Sequence, residues 1–157
     1  MKVVAIAAVA DNGVIGSGQD MLWHISEDFR RFKRVTMGHT LVFGRRTFDQ
    51  IGKLPGRRHI ICTRDQQWSA DGVDVAASPR EAVGMARNAG EEICFIAGGG
   101  QIYAAALALC DELEITEVHR SPEGSARFPT IDPAMWAETR REPHDGFDFV
   151  GYRRMTS

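Results

Sequence analysis

Little in this sequence points toward a metal, a membrane or nucleic acid. Its 157 residues include only three cysteines, Cys62, Cys94 and Cys110, an odd number without metal-ligand spacing. That pattern gives no sign of a zinc-type site and suits a reducing cytosol. Cys62 and Cys94 fall in apolar runs, where cysteine behaves as a small hydrophobe. The formal net charge of -2 argues against a nucleic-acid-binding surface. Long hydrophobic runs are also missing. The opening segment carries one lysine and then an apolar stretch to Ala10, too short to span a bilayer, and Asp11-Asn12-Gly13 ends it with a turn signal. It reads as direct entry into a buried strand rather than as a targeting sequence. There is no linker, repeat or low-complexity tract. Hydrophobic content of 43% and charged content of 25% are those of a globular protein, and residues 1–157 read as one domain placed in the cytoplasm.

The chain does contain a regular alternation of strand and helix patterns. Strands are predicted at 3–9, 40–43, 59–63, 73–76, 92–96 and 112–118, with a final pair near 136–141 and 148–154. Helices are predicted at 27–36, 45–51, 79–88 and 100–108. The third helix is the best marked, with Ser78 at the N-cap, Pro79 at the first helical position and Glu81 three residues after the cap. Alternation of this kind predicts an α/β fold: a mainly parallel sheet of about eight strands between layers of about four helices, with an antiparallel C-terminal edge strand. Ligands of such sheets collect at the carboxyl ends of strands, which directs attention to 10–28, 44–48, 63–65 and 97–103.

In the first of these, Ile25, Asp28, Phe29 and Phe32 share one helical stripe, while Glu27, Arg30, Arg31, Lys33 and Arg34 lie on the other side. A carboxylate on the apolar stripe is costly to bury unless something pairs with it, and no basic residue shares the stripe. Either a ligand completes Asp28, or Ser26 caps the helix and Glu27 and Asp28 are ordinary first-turn acids. In the last, Gly98-Gly99-Gly100 separates a strand from a helix beginning near Gln101-Ile102-Tyr103. The backbone there can approach a ligand closely and offer helix N–H groups to phosphate, or the glycines simply make a tight turn. The G-x-G-x-x-G fingerprint is lacking, because its third glycine would fall at Tyr103. At 44–48, Gly44-Arg45-Arg46-Thr47-Phe48 opens a helix with two arginines that oppose the helix dipole, a conflict that a bound anion would relieve. Thr63 and Arg64 follow the next strand. If the two strands are neighbours, Arg45, Arg46 and Arg64 can converge on one phosphate. Otherwise they form a solvated basic rim.

Taken together, these pieces resemble the dihydrofolate reductase family over nearly the whole chain. The matching segments are Ile6-Ala7-Ala8 with Asp11 and Val14-Ile15-Gly16; Trp23 with Asp28, Phe32 and Lys33; Gly44-Arg45-Arg46-Thr47-Phe48; Leu54-Pro55-Gly56-Arg57; Gly98-Gly99-Gly100-Gln101-Ile102-Tyr103; and Thr116-Glu117-Val118, with Phe128-Pro129 and Trp136 later. The resemblance implies NADPH-dependent reduction of 7,8-dihydrofolate to tetrahydrofolate in one-carbon metabolism, by a monomer that is also a target of antifolate inhibitors. It assigns Asp28 to the pterin, with Thr116 supporting it and Met21 and Trp23 beside the catalytic acid. Ile6, Ala7, Phe32 and Leu54 would line the substrate pocket, and Arg57 with Lys53 would meet the glutamate tail. Ala8, Val14, Ile15, Gly16, Ser17, Gly18, Gln19 and Asp20 would meet the nicotinamide side of NADPH. Gly44, Arg45, Arg46, Thr47, Cys62, Thr63 and Arg64 would hold its phosphates. Ala97, Gly98, Gly99, Gly100, Gln101, Ile102 and Tyr103 would face the pyrophosphate and nicotinamide. The family carries a cis peptide between the first two of these glycines. No metal site is implied.

Some positions depart from the family pattern. Leu22 stands where proline is usual before Trp23, so the segment from Asp11 to Leu22, a lid over the nicotinamide in this reading, gains backbone freedom. Ala97 replaces a larger aliphatic residue beside the pterin, which raises the question of reduced antifolate sensitivity. Lys53 replaces arginine, and Phe48 replaces tryptophan. The pyrimidine reductases of riboflavin biosynthesis are similar and form the alternative, but Asp28, Phe32 and Arg57 favour folate.

Overall fold

The computed structural model describes residues 1–15 and 25–155. Thirteen elements follow in order: β1 (Lys2–Ala10), α1 (Ser26–Thr36), β2 (Thr40–Gly44), α2 (Arg45–Ile51), β3 (Arg58–Cys62), β4 (Asp74–Ala76), α3 (Pro79–Asn88), β5 (Ile93–Ile96), α4 (Gly100–Ala106), a 3-10 turn (Leu107–Leu109), β6 (Glu112–Val118), β7 (Trp136–His144) and β8 (Phe147–Arg154). The strands form one eight-stranded sheet in the order β4-β3-β2-β5-β1-β6-β8-β7. β1 to β6 pair in parallel, while β8 is antiparallel to both of its neighbours. The last strand of the chain is thus inserted one place in from the edge, and β7 forms the edge itself. A two-residue reversal after His144 leads directly into β8, which then takes the open side of β6.

Alternation along the strands sends side chains to two cores. Val3 and Ala5 face one side, with Ala82, Val83 and Ala86 of α3 and Tyr103 and Ala106 of α4. Val4 and Ile6 face the other with Leu41, Phe43, Ile61 and Phe95, against Phe32 and Val35 of α1 and Phe48 of α2. This gives the expected three layers. α3 begins as its sequence dictates: the Ser78 hydroxyl accepts from the Glu81 N–H at 3.1 Å, and the Glu81 carboxylate accepts from the Ala77 N–H at 3.1 Å. Gly90, at φ +77°, turns the chain just beyond it.

α1 corrects two expectations. Ile25, in extended backbone, occupies the N-cap position with no side-chain cap bond, so Ser26 is the first helical residue rather than the cap. The helix is also rotated relative to the predicted stripe. Phe29 is 42% exposed, whereas Arg31 is buried at 8%. The inner face therefore does contain a base. The reason is tertiary: β6 presents Glu114 to that face, and Arg31 ion-pairs with it.

Candidate active site

The site forms where the carboxyl halves of β1 and β6 lie side by side, with Ala8 in register with Thr116, and α1 crosses in front of them. Asp28 is half-buried, and its Oδ1 accepts a hydrogen bond from the Thr116 hydroxyl at 2.6 Å. Burial pushes the Asp28 carboxyl above its ordinary range, opposed by the Thr116 hydrogen bond and by the charge of Arg31. Each carboxylate oxygen accepts more than one hydrogen bond, so the group keeps capacity for donors from a ligand. Ile6, buried at 6%, lines the same end. Its carbonyl accepts from the buried Tyr103 hydroxyl at 2.6 Å, tying α4 to β1.

A second part of the site lies along α1 toward the loop before β3. Lys33, Met37, Pro55, Gly56 and Arg57 surround an open cavity of about 440 Å³. The Arg57 guanidinium donates to the Thr36 hydroxyl at 3.2 Å and to the Pro55 carbonyl at 3.1 Å, which fixes it at the cavity. Phe32 and Leu54 pack on the adjoining core. Lys53 is turned so that its ammonium rests against Gly72. Two residues that escaped the sequence reading build this loop. Thr36 is fully buried and receives Arg57. His59, 2% exposed, accepts the Leu54 N–H at its Nε2 at 3.0 Å. An accepting Nε2 carries no proton, and burial, which holds the His59 pKa below its ordinary value, favours that form. A histidine opening the apolar run His59-Ile60-Ile61-Cys62 was the available signal.

The third part consists of turns at the ends of β2, β3 and β5. β2 and β3 are neighbours with Gly44 opposite Cys62, so Arg45, Arg46, Thr47, Thr63 and Arg64 do gather at one end of the sheet. Arg45 already has partners, Asp65 at 3.2 Å and Asp49 at 3.7 Å, and stacks over Trp68 at 5.4 Å. Part of the conflict at the α2 N-terminus is thus relieved within the chain. Arg46 and Arg64 are exposed. Cys62 is buried and its thiol is pushed up to about 12, so it serves there as packing.

The Gly98–Gly99 peptide is cis, and Gly98 has φ +125°, a region that favours glycine. The Gly98 carbonyl accepts the Gly44 N–H at 2.8 Å, bringing the glycine turn against the start of α2. A Cβ on Gly99 would lie 3.2 Å from the Thr47 hydroxyl, and one on Gly100 3.2 Å from the Arg127 carbonyl. The turn therefore packs closely: a side chain at Gly99 or Gly100 would need its neighbour to give by a few tenths of an ångström, and Gly98 is constrained by its φ. Ala97 is half-buried beside it, and Ile102 packs toward Gly44 while Gln101 is exposed. Val14 and Ile15 are buried at 0% and 5%, held by bridges to Arg127 and Val9. Gly16, Ser17, Gly18, Gln19, Asp20, Met21, Leu22 and Trp23 lie outside the described residues. Among the described residues, no group of three or more His, Cys, Asp or Glu is arranged to hold a metal, and no helix is long and apolar enough to cross a membrane.

Fold and site together define a three-layer α/β protein. A part-buried acid stands against β6 on one side of β1, and the arginine-flanked cavity, the glycine turn and the arginine turns lie toward β5, β2 and β3 on the other. Comparison with known proteins gives this class its family. The family model described as dihydrofolate reductase matches residues 2–154. Dihydrofolate reductase of Neisseria meningitidis is 44% identical over 143 residues, covering 90% of this chain and 87% of its own. Dihydrofolate reductase HdrB of Haloferax volcanii is 38% identical over 163 residues, covering 98% and 84%. Dihydrofolate reductase type 3 of Salmonella typhimurium is 40% identical over 153 residues, covering 97% and 93%. The structure of dihydrofolate reductase from Enterococcus faecalis, complexed with NADP(H) and RAB-propyl, superposes with a TM-score of 0.89 at 32% identity, covering 99% of this chain and 97% of that one. The chain belongs to the dihydrofolate reductase family, and it is an oxidoreductase.

Proposed function

We propose that the protein reduces 7,8-dihydrofolate to 5,6,7,8-tetrahydrofolate with NADPH, residues 1–157 acting as one cytoplasmic, monomeric reductase domain. The observation that carries this reading is the Asp28 carboxylate held by Thr116 in a half-buried cleft, one helix away from an arginine-bearing cavity. A pterin offers a ring N–H and an amino group to a carboxylate, and its glutamate tail offers a carboxylate to Arg57. Asp28 then anchors and polarises the ring, while Ile6, Ala7, Phe32 and Leu54 enclose it; Lys53 would reach the tail only by swinging its ammonium away from Gly72. The far edge of the pterin lies against Asp28, so the proton reaches N5 through solvent. Trp23 and Met21 order that approach.

The cofactor fits the remaining features. The glycine turn exposes bare, closely packed backbone, and arginines with threonine hydroxyls stand at the adjoining strand ends. When bound, NADPH supplies the hydride that is delivered to pterin C6. Arg45, Arg46, Thr47, Thr63 and Arg64 hold its phosphates, and the arginines select it over NADH. Ala8, Val14, Ile15 and residues 16–20 shape the nicotinamide side. Gln101, Ile102 and Tyr103 begin the helix that backs the glycine turn. Ala97 and Leu22 lower antifolate sensitivity, which Ala97→Ile and Leu22→Pro would restore in an inhibitor titration.

The direct test is loss of NADPH absorbance on adding dihydrofolate. Steady turnover with tetrahydrofolate as product is expected. Absence of turnover with folded protein and saturating NADPH would overturn the reading.

A further inference from the structure

Two cross-links join α1 to β6, and only one of them is accounted for by the substrate. Asp28 meets Thr116. One helical turn on, Arg31 meets Glu114, two residues earlier on the strand. The spacing is geometrically natural: three helical residues advance about 4.5 Å, and two strand residues about 6.6 Å. Arg31 and Glu114 are both strongly covered, with side-chain exposures of 10% and 17%. Glu114 also accepts from Arg140 of β7 at 2.7 Å, and the Arg31 guanidinium lies 4.6 Å from the centre of the Phe149 ring of β8.

A buried ion pair is not retained for net stability, since apolar residues of the same volume often do as well. Its value here lies in placement and charge. Arg31 and Arg140 supply two positive charges, and Glu114 supplies one negative charge, so the cluster carries one uncompensated positive charge behind the Asp28 carboxylate. We propose that Arg31, Glu114 and Arg140 form a positioning device that locks α1 onto β6 with Asp28 against Thr116, and whose spare positive charge balances the Asp28 carboxylate. Arg31 and Glu114 thereby act on the reaction through Asp28 without touching the substrate, an extension that rests on the role proposed above for that acid.

The charged and titratable groups facing Asp28, among the described residues, fit this arrangement. From α1 it sees Arg31, while Glu27 is directed to His144 at 3.4 Å. From β6 it accepts from Thr116, with Glu114 behind Arg31 two residues earlier on the strand, and from α4 it sees the Tyr103 hydroxyl, whose own ionisation it opposes. β7 contributes Arg140, through Glu114. Arg31 is the cation among these that pulls the Asp28 carboxyl back toward its ordinary range.

The test is a pair of variants that break the same ion pair from opposite sides. The Asp28 carboxyl resonance, identified by its disappearance in Asp28→Asn, is titrated by carbon NMR in the wild type, Arg31→Met, Arg31→Lys and Glu114→Gln. Arg31→Met removes the balancing charge, so the Asp28 midpoint moves up. Glu114→Gln removes a neighbouring anion and leaves Arg31 unneutralised, so the midpoint moves down. Arg31→Lys keeps the charge and stays near the wild type. The pH profile of kcat/KM for dihydrofolate shifts in the same two directions. A purely structural pair predicts loss of stability in both variants without opposed shifts. Shifts of the same sign in Arg31→Met and Glu114→Gln, or none in either, would overturn the proposal. If Arg31→Met does not fold, Glu114→Gln alone decides: a downward shift supports the proposal, and an upward shift or none refutes it. The NMR titration needs no turnover, so failure of the dihydrofolate assay would be a separate result.

Discussion

Thr116→Val removes one hydroxyl, keeps the shape of the side chain and leaves the Asp28 carboxylate one donor short. Thr116 is 2% exposed and its bond to Asp28 is 2.6 Å, so water has little access to replace it. Hydrogen bonds to charged groups contribute about 1.5–3 kcal/mol, and the loss should fall in that range at neutral pH. The loss should also depend on pH. Burial raises the folded pKa of Asp28 above 3.8, so the fold is favoured by the protonated acid. That contribution is fully present below 3.8 and is lost as pH rises through the folded value. The Thr116 hydrogen bond lowers that folded value, so removing it widens the window. The stability gap between wild type and variant is therefore small at acid pH, opens as pH rises through the raised values, and is largest at neutral pH. Urea unfolding at a series of pH values measures it directly. A gap that is absent at neutral pH, or equal at all pH values, would refute this account of the pair.

Other outcomes follow from the remaining parts of the site. Arg57→Gln loses a charge-assisted contact to the substrate carboxylate, so kcat/KM for dihydrofolate should fall by about 10- to 100-fold, with NADPH affinity unchanged in a fluorescence titration. Neutralising Arg46 and Arg64 together should reduce the preference for NADPH over NADH by about tenfold or more, as expected for lost phosphate pairs, measured as the ratio of kcat/KM values. Gly44→Ala places a Cβ 2.9 Å from Ile102 Cγ1, and overpacking of this kind costs about 1–3 kcal/mol. It should lower the melting temperature and weaken NADPH binding more than dihydrofolate binding.

The features legible in the sequence are those encoded over short distances. α3 was readable to the residue because its cap, first-turn proline and terminal glycine are all local to the helix. The strands and the glycine turn were readable for the same reason. The orientation of α1 was not, because it is decided by a contact between Arg31 and Glu114, 83 residues apart. Periodicity alone favoured Phe29 for the inner face, but tertiary pairing placed Arg31 there. The position of β8 inside β7 was likewise set by long-range strand pairing. Asp28 and the arginine turns stood out by their chemistry, whereas Arg57 was singled out only by the family resemblance. Thr36 and His59, which hold the Arg57 loop, were missed because their importance arises from burial rather than from type.

The central claim is that Asp28 anchors the substrate and does not hold the cofactor. Asp28→Asn tests it most directly, with kcat/KM for dihydrofolate and the NADPH dissociation constant measured on the same preparation. Loss of two charge-assisted hydrogen bonds predicts a fall in kcat/KM of about 10²- to 10⁴-fold, with NADPH affinity changed by less than about threefold, under 1 kcal/mol. Comparable losses in both, or retention of turnover, would contradict the account.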